Sequence, residues 1–221
     1  MCGRFSLAMR ARDVADTFGA VEVDLALANL EPRYNIAPSH TIALLLRESR
    51  GRGVRAARWG VPWKDSQGTF RTLINVRSES LERPGPVLRR LVAHRCAIPA
   101  DGFYEWAKRG GRHEPWFFRR RDGRPFLMAG LWTQEGPERW ATILTTRPCQ
   151  LVAPIHDRMP VILRDEHVEF WIDPDRPLDD RNWSEPFPAD ALIAYPVGRW
   201  VNDPRHDGPE CARPFTGSTL R

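Results

Sequence analysis

The chain has 221 residues, 42% hydrophobic and 28% charged, a globular balance that excludes a disordered or fibrous protein. Twenty prolines and sixteen glycines favour many short strands and turns over long helices. No apolar run reaches the length of about 18 residues that spans a bilayer, and MCGRFSLAMR lacks the apolar core of a signal peptide. The expectation is a soluble, cytoplasmic (bacterial) protein with no membrane partner. The net charge of +5 suits a polyanionic partner. All of its 33 basic side chains except Lys64 and Lys108 are arginine, whose planar fork binds phosphate bidentately. So few lysines leave the chain terminus as the main amine for any imine chemistry.

In chain order, RARDVADTFG at 10–19 reads as a short helix with Val14, Ala15 and Phe18 on one face and Gly19 as its stop. EPRYNIAPS at 31–39 reads as irregular between its prolines. TIALLLRE at 41–48 reads as a buried strand, with VRAARWG at 54–60 as its hairpin partner across SRGRG. VPWKDSQGTF reads as a loop carrying an aromatic, TLINVRSES as a strand running into a helical turn, and PVLRRLVA at 86–93 as a second short helix. HRCAIPA, GFYEWAK, PWFFRRR, PFLMAGLW and RWATILTT follow as strands divided by turns such as RGGRHE and RDGR. RDEHVEFWID at 164–173 is the clearest amphipathic helix, with Val168 and Trp171 or Ile172 inward. LIAYPVGRWV at 192–201 is a late strand, and 203–221 a polar, loosely packed tail. With no repeat or composition break, this predicts one α+β domain over 1–221, built on a strongly curved antiparallel sheet or barrel with short peripheral helices.

Cys2, Cys96, Cys149 and Cys211 are scattered, so neither disulfides nor a metal site is expected. Cys2 follows the initiator Met, and a residue this small permits methionine removal. The product would carry an α-amine and a thiol on adjacent carbons. Roughly a tenth to a sixth of such an amine is neutral at pH 7. The pair can attack an acyl carbonyl or capture an aldehyde as a thiazolidine; equally, Cys2 can be an ordinary second residue. In GFYEW, alternation puts Phe103 and Glu105 on one face and Tyr104 and Trp106 on the other, and aromatic surroundings would raise the Glu105 pKa. An outward Glu on an edge strand is the plainer reading. PIHDRMPVIL at 154–163 sets His156, Asp157 and Arg158 in a rigid loop, where His156 serves either as acid/base or structurally. NVRSES offers Asn75 for hydrogen bonding and Arg77, on the same strand face, for phosphate. Arg4 places a second guanidinium beside Cys2.

Taken in order, MCGRF, RYNIAP at 33–38, WG at 59–60, INVRSE, DGFYEW and IHDRMPVIL resemble the SRAP family (SOS-response-associated peptidases), whose members process abasic sites in single-stranded DNA. The resemblance covers nearly the whole chain and thins after about residue 202. It implies loss of Met1 and a covalent thiazolidine between Cys2 and the ring-opened aldehyde of an abasic deoxyribose, a step in handling DNA damage. By motif it implies a catalytic set of Cys2, Asn75, Glu105 and His156. In that set the Cys2 amine condenses with C1′ and its thiol closes the ring. Glu105 shuttles protons, Asn75 holds the terminus or a sugar oxygen, and His156 acts on the deoxyribose hydroxyls. Arg4, Arg77 and Arg158 are assigned to flanking phosphates, Trp63 to a base, and Asn35 and Pro38 to the shape of the pocket. No cofactor or metal is implied, and a monomer suffices. The loop after WG is shorter than the family's, and VNDPRHDGPE matches only loosely, so no site residue is carried from it. Two rival functions stand beside this one. The first is an N-terminal-nucleophile peptidase or amidohydrolase using the same residues, which would release a product instead of an adduct. The second is a non-catalytic single-stranded-DNA binder, for which the arginines and Trp63 suffice.

Overall fold

The computed structural model describes residues 2–178 and 182–216. Strand β1 (Phe5–Leu7) leads into helix α1 (Ala11–Phe18), which buries Ala11, Val14 and Ala15 and ends at Gly19, whose φ of 65° is the left-handed conformation that terminates helices. There follow β2 (Ala20–Val23), β3 (Arg33–Ile36), β4 (Thr41–Glu48), β5 (Gly51–Trp59), β6 (Val61–Lys64), β7 (Phe70–Leu73) and β8 (Asn75–Arg77). After helix α2 (Pro86–Leu91) come β9 (Arg95–Ala100), β10 (Gly102–Arg109), β11 (Arg112–Arg120), β12 (Phe126–Glu135) and β13 (Glu138–Thr146). The chain finishes through β14 (Met159–Pro160), β15 (Ile162–Leu163), helix α3 (Asp165–Ile172) and β16 (Leu192–Pro196).

Strands β13, β12, β9, β4 and β5 pair in that order. Because β5 also pairs with β13, in parallel at Trp59 and Ala141, the path returns to its start and closes a barrel. The continuous apolar run Ile42–Leu46 of β4 and the whole of β9 are buried, as strands covered on both faces must be. Helix α3 covers the barrel through Val168, Trp171 and Ile172, and the Trp171 indole N–H donates to the Cys96 carbonyl at 2.7 Å.

A second sheet, ordered β16-β11-β10-β1-β3, lies against the barrel. Phe5, Phe103 and Phe118 form its inner face, with the last two stacked 4.9 Å apart, and Phe5 meets Trp59 of the barrel edge-on at 5.3 Å. Burying each such ring stabilises the fold by roughly 1.5–3 kcal/mol. Tyr104 and Phe117 point the other way, into a smaller cluster capped by Val197, Val201 and Cys211. This is the α+β, strongly curved sheet architecture expected from the strand pattern. Among the described residues no helix is long and apolar enough to cross a membrane.

Four segments differ from the sequence expectation. The RYNI of the supposedly irregular 31–39 stretch forms β3, an edge strand beside β1. The loop after WG contains the hairpin β6–β7, turned by Asp65, whose carboxylate accepts the Gln67 and Thr69 amides. The late strand stops at Pro196, and Arg199–Asn202 coil into a 3₁₀ turn. Residues 203–216 are not loose: Cys211 is fully buried, and Asp207 accepts both the Tyr34 and Asn35 amides at 2.7 Å. That segment is polar because its own hydrogen bonds, more than apolar burial, hold it in place. Residues 217–221 of the expected tail lie outside the described residues.

Candidate active site

Three segments converge on the start of the chain. The first is β10, which pairs antiparallel with β1 at Phe5 and Phe103 and continues past the strand end, where the Tyr104 amide donates to the Arg4 carbonyl at 3.0 Å. At Gly102 a Cβ would collide with the Phe117 ring of β11, so glycine is what lets that ring pack over the strand. The second is β8, parallel to β13, which buries Val76 and puts half-buried Asn75 and exposed Arg77 on its other face. The third is the 149–158 turn, wound by Val152 and Ala153 amides donating to Cys149 O and by the His156 amide donating to Val152 O.

Cys2 is fully buried, and its carbonyl accepts a 2.8 Å hydrogen bond from Asn75 Nδ2. Its Sγ lies 3.9 Å from the Arg4 carbonyl oxygen. Burial, reinforced by the nearby Glu105, pushes the Cys2 thiol well above its ordinary range, so the sulfur holds its proton at neutral pH. The Asn75 Oδ1 is buried with no hydrogen-bond partner among the described residues, an acceptor awaiting a donor.

Glu105 is 2% exposed, and desolvation raises its pKa to about 8. Its Oε2 stands 3.8 Å from His156 Nε2. On the other side of that ring, Nδ1 accepts the Arg158 backbone N–H at 3.0 Å and lies 3.0 Å from Asp157 Oδ1. Burial lowers the His156 pKa. The neutral ring with Nδ1 as acceptor therefore carries its proton on Nε2, directed at Glu105; on protonation, Nδ1–H has Asp157 as its acceptor. Because Nε2 already carries its proton, the ring can donate to the Glu105 carboxylate and takes a proton from Glu105 only after giving one up.

The residues assigned to DNA are not all placed alike. Arg77 is exposed and makes no ion pair among the described residues. Arg158 instead forms a bidentate pair with Glu79 at 2.8 and 2.7 Å and donates to the Thr145 carbonyl at 2.6 Å, so a phosphate would have to compete with those partners. Arg4 donates to Asn35 Oδ1 at 2.6 Å and to the Val201 carbonyl, and lies over the Trp106 ring at 5.8 Å. Asn35 is fully buried, with Nδ2 donating to the Asp203 and His206 carbonyls at 3.0 and 2.6 Å. Pro38 is half-buried, beside Ser39 at a φ of 72°. Trp63 is half-buried on the β6–β7 hairpin, walling a cavity of about 460 Å³ with Phe70, Val87 and Leu91. None of the four groups of the Cys2 cluster lines that cavity.

Sequence reasoning missed Trp116 and Glu79 as neighbours of this machinery, while Asp157 stands beside His156 as the sequence suggested. Trp116 sits directly across from Glu105 in the β10–β11 register, so its ring supplies part of the desolvation that raises the carboxyl pKa. Counting back from the RGG turn would have revealed that pairing; nothing in the sequence reveals the Glu79–Arg158 pair. Also missed was the 199–207 segment, which holds Arg4 from behind. Among the described residues there is no group of three or more His, Cys, Asp or Glu able to hold a metal ion, and all four cysteines are free and buried.

Comparison with known proteins agrees with this arrangement at the level of the whole chain. A protein from Bacteroides thetaiotaomicron of known structure superposes with a TM-score of 0.82 at 21% identity, over 97% of this chain and all of that one, which establishes the shared fold. The abasic site processing protein YoqW of Bacillus subtilis (strain 168) is 36% identical over 220 residues, 95% of this chain and 98% of its own. The abasic site processing protein YedK of Escherichia coli (strain K12) is 30% identical over 227 residues, 97% of this chain and 100% of its own. Residues 1–204 match the family described as SOS response associated peptidase (SRAP). With that match and these relatives, the chain belongs to the SRAP family.

Proposed function

We propose that this protein acts on abasic sites in single-stranded DNA and joins them covalently through Cys2, once Met1 has been removed. The observation that carries the reading is the seating of Cys2, whose carbonyl is held by Asn75 Nδ2 at 2.8 Å beside the Glu105–His156 pair. The names of the relatives, abasic site processing proteins, give the substrate.

The ring-opened sugar presents an aldehyde at C1′. The Cys2 α-amine adds to it, and loss of water leaves an imine. The thiol then adds across the C=N bond: sulfur bonds to C1′, the S–H proton ends on nitrogen, and a thiazolidine closes. A sulfur that holds its proton suits this order, with the amine attacking first and the thiol second. It does not suit an acyl transfer begun by a thiolate, which sets the peptidase reading behind. Glu105, protonated up to about pH 8, delivers the proton that lets the carbinolamine hydroxyl leave, recovers one from the nitrogen as the imine forms, and in ring closure passes the thiol proton to that nitrogen. His156 Nε2–H donates a hydrogen bond to a sugar oxygen, and Asn75 Oδ1 receives an N–H of the new terminus.

Arg77 contacts a flanking phosphate directly. Arg4, Arg158, Asn35 and Pro38 shape the wall of the site, and Trp63 offers its ring to a base. All four reacting groups come from one chain, so no second subunit is needed.

The test is to mix protein whose free N-terminal Cys has been verified by mass spectrometry with a single-stranded oligonucleotide bearing one abasic site. The mixture is then run on a denaturing gel after heating without reductant. A shifted band is expected for the native sequence and none for Cys2→Ala or for DNA with all bases intact. No band from the native protein would overturn the reading and return the site to amide hydrolysis.

A further inference from the structure

His156 Nδ1 has two partners to choose between. The Arg158 backbone N–H donates to it at 3.0 Å, and Asp157 Oδ1 lies at the same distance on a side chain that is 80% exposed. With the amide in place, Nδ1 is an acceptor and the ring proton sits on Nε2. With Asp157 as its partner, Nδ1 must carry the proton, and Nε2 then turns a lone pair toward the site. Which partner prevails depends on how firmly the Arg158 backbone is held.

Its own side chain holds it. The guanidinium is mostly buried and donates to both carboxylate oxygens of Glu79 at 2.8 and 2.7 Å and to the Thr145 carbonyl at 2.6 Å. Glu79 lies in the 3₁₀ turn Ser78–Leu81 that follows β8 directly. Thr145 of β13 pairs with Arg77 of β8 and with Pro160 of β14. The Arg158–Glu79 pair therefore spans the end of β13 and ties the His156 turn to the strand that carries Asn75. An exposed ion pair of single contact would contribute little. A two-pronged pair on a mostly buried guanidinium fixes direction as well as distance. Without the carboxylate, Arg158 keeps only the Thr145 carbonyl among these anchors.

We infer that Glu79 is a positioning residue for His156: acting through Arg158, it keeps the backbone N–H on Nδ1 and so keeps the Nε2 proton pointed into the site. This role rests on the proposed function, where Nε2–H donates to a sugar oxygen, but the tautomer itself is read without any reaction. Besides Asp157, the charges that face the ring among the described residues are Glu105, 3.8 Å from Nε2, and Lys108 of β10. All three stay in place in the variants that test the role.

The experiment records the two ring nitrogens of His156 by ¹⁵N NMR on the full chain at a pH where the ring is neutral, with signals assigned by their loss in His156→Gln. Native protein is expected to show Nε2 protonated and Nδ1 as acceptor. Glu79→Ala should bring in a measurable Nδ1–H share, and Arg158→Ala should do the same. Glu79→Gln, which keeps one acceptor oxygen for the guanidinium, should recover most of the native state. Adduct formation on abasic single-stranded DNA should slow about ten- to a hundredfold in Glu79→Ala, the scale seen when the partner orienting a metal-bound histidine is lost. The Glu79→Ala, Arg158→Ala double variant should be no slower than the slower single one. A native tautomer in Glu79→Ala would overturn the role, as would losses that add across the pair. Faster reaction or tighter binding of intact DNA by Glu79→Ala would also overturn it, making the pair a lock on a phosphate-binding arginine. Should Glu79→Ala fail to fold, Glu79→Asp, whose shorter arm cannot reach both guanidinium nitrogens, carries the same comparison. A shifted tautomer in the variant with no adduct from any protein would sink the reaction and leave the positioning role standing.

Discussion

Glu105 keeps its proton to about pH 8, against an ordinary value of 4.5, because it is buried beside Trp116 with water excluded. The folded state thus binds this proton more tightly than the unfolded chain. The stability it contributes is complete below the ordinary value and is lost as pH rises through about 8. Glu105→Gln, which mimics the protonated form, should therefore gain on the native protein in urea unfolding as pH is raised from 5 to 9. Its chemistry should move the opposite way. Adduct formation by Glu105→Gln should be slower by about a hundredfold or more, the usual size of a lost acid–base group. The bend near pH 8 in the native rate profile should vanish with it. A single-turnover pH series on both proteins checks this, and an unchanged bend would assign the titration to another group.

Among the elements, the least conspicuous in sequence is the most consequential. Asn35 and Asp207 fasten the 199–207 segment across β3 and thereby fix Arg4 next to the reacting residue. Asn35→Ala would strand buried carbonyls and half of the Arg4 hydrogen bonding at once. It should cost about 2–3 kcal/mol, read by urea midpoint, since each buried polar group left unmet costs on the order of 1–3 kcal/mol. Much of the rest was legible beforehand. The β4–β5 hairpin, the barrel strands and α3 follow from apolar runs and alternation, because burial and period leave their mark on the residues themselves. Cys2, Asn75, Glu105 and His156 could be named from motifs, and Phe103 and Glu105 do share the inner face. The 203–216 segment was not legible, because what holds it is an Asn and an Asp meeting backbone groups more than 160 positions away. Hydrophobicity records nothing of that. The β6–β7 hairpin escaped for a similar reason: its fold is set by the Asp65 turn and hardly by buried residues.

For the molecule as a whole, the net charge of +5 is the excess of 33 basic over 28 acidic side chains, and several arginines are tied up internally. Arg52, Arg55, Arg120 and Arg158 all hold carboxylates. Of the three arginines assigned to DNA, Arg4 and Arg158 are held by internal partners and Arg77 is exposed with no ion pair among the described residues, so Arg77 should carry the ionic contact at the site. Arg77→Ala should flatten the log–log dependence of binding on salt by about 0.7, one single-strand phosphate's worth. Arg158→Ala should leave that slope intact and lower the melting temperature instead, and a titration series at several salt concentrations separates the two. The architecture also sets a timetable for synthesis. Cys2 is sealed in by partners from residue 75, residue 105 and, through Arg4, residue 201. None of these exists while the first residues leave the ribosome, and at about 5–20 residues per second the last is made some 10–40 s later. Trimming of the leading methionine, if it is to expose the reactive amine, belongs to that interval. A protein that completed its fold untrimmed would have closed its own active site before it opened.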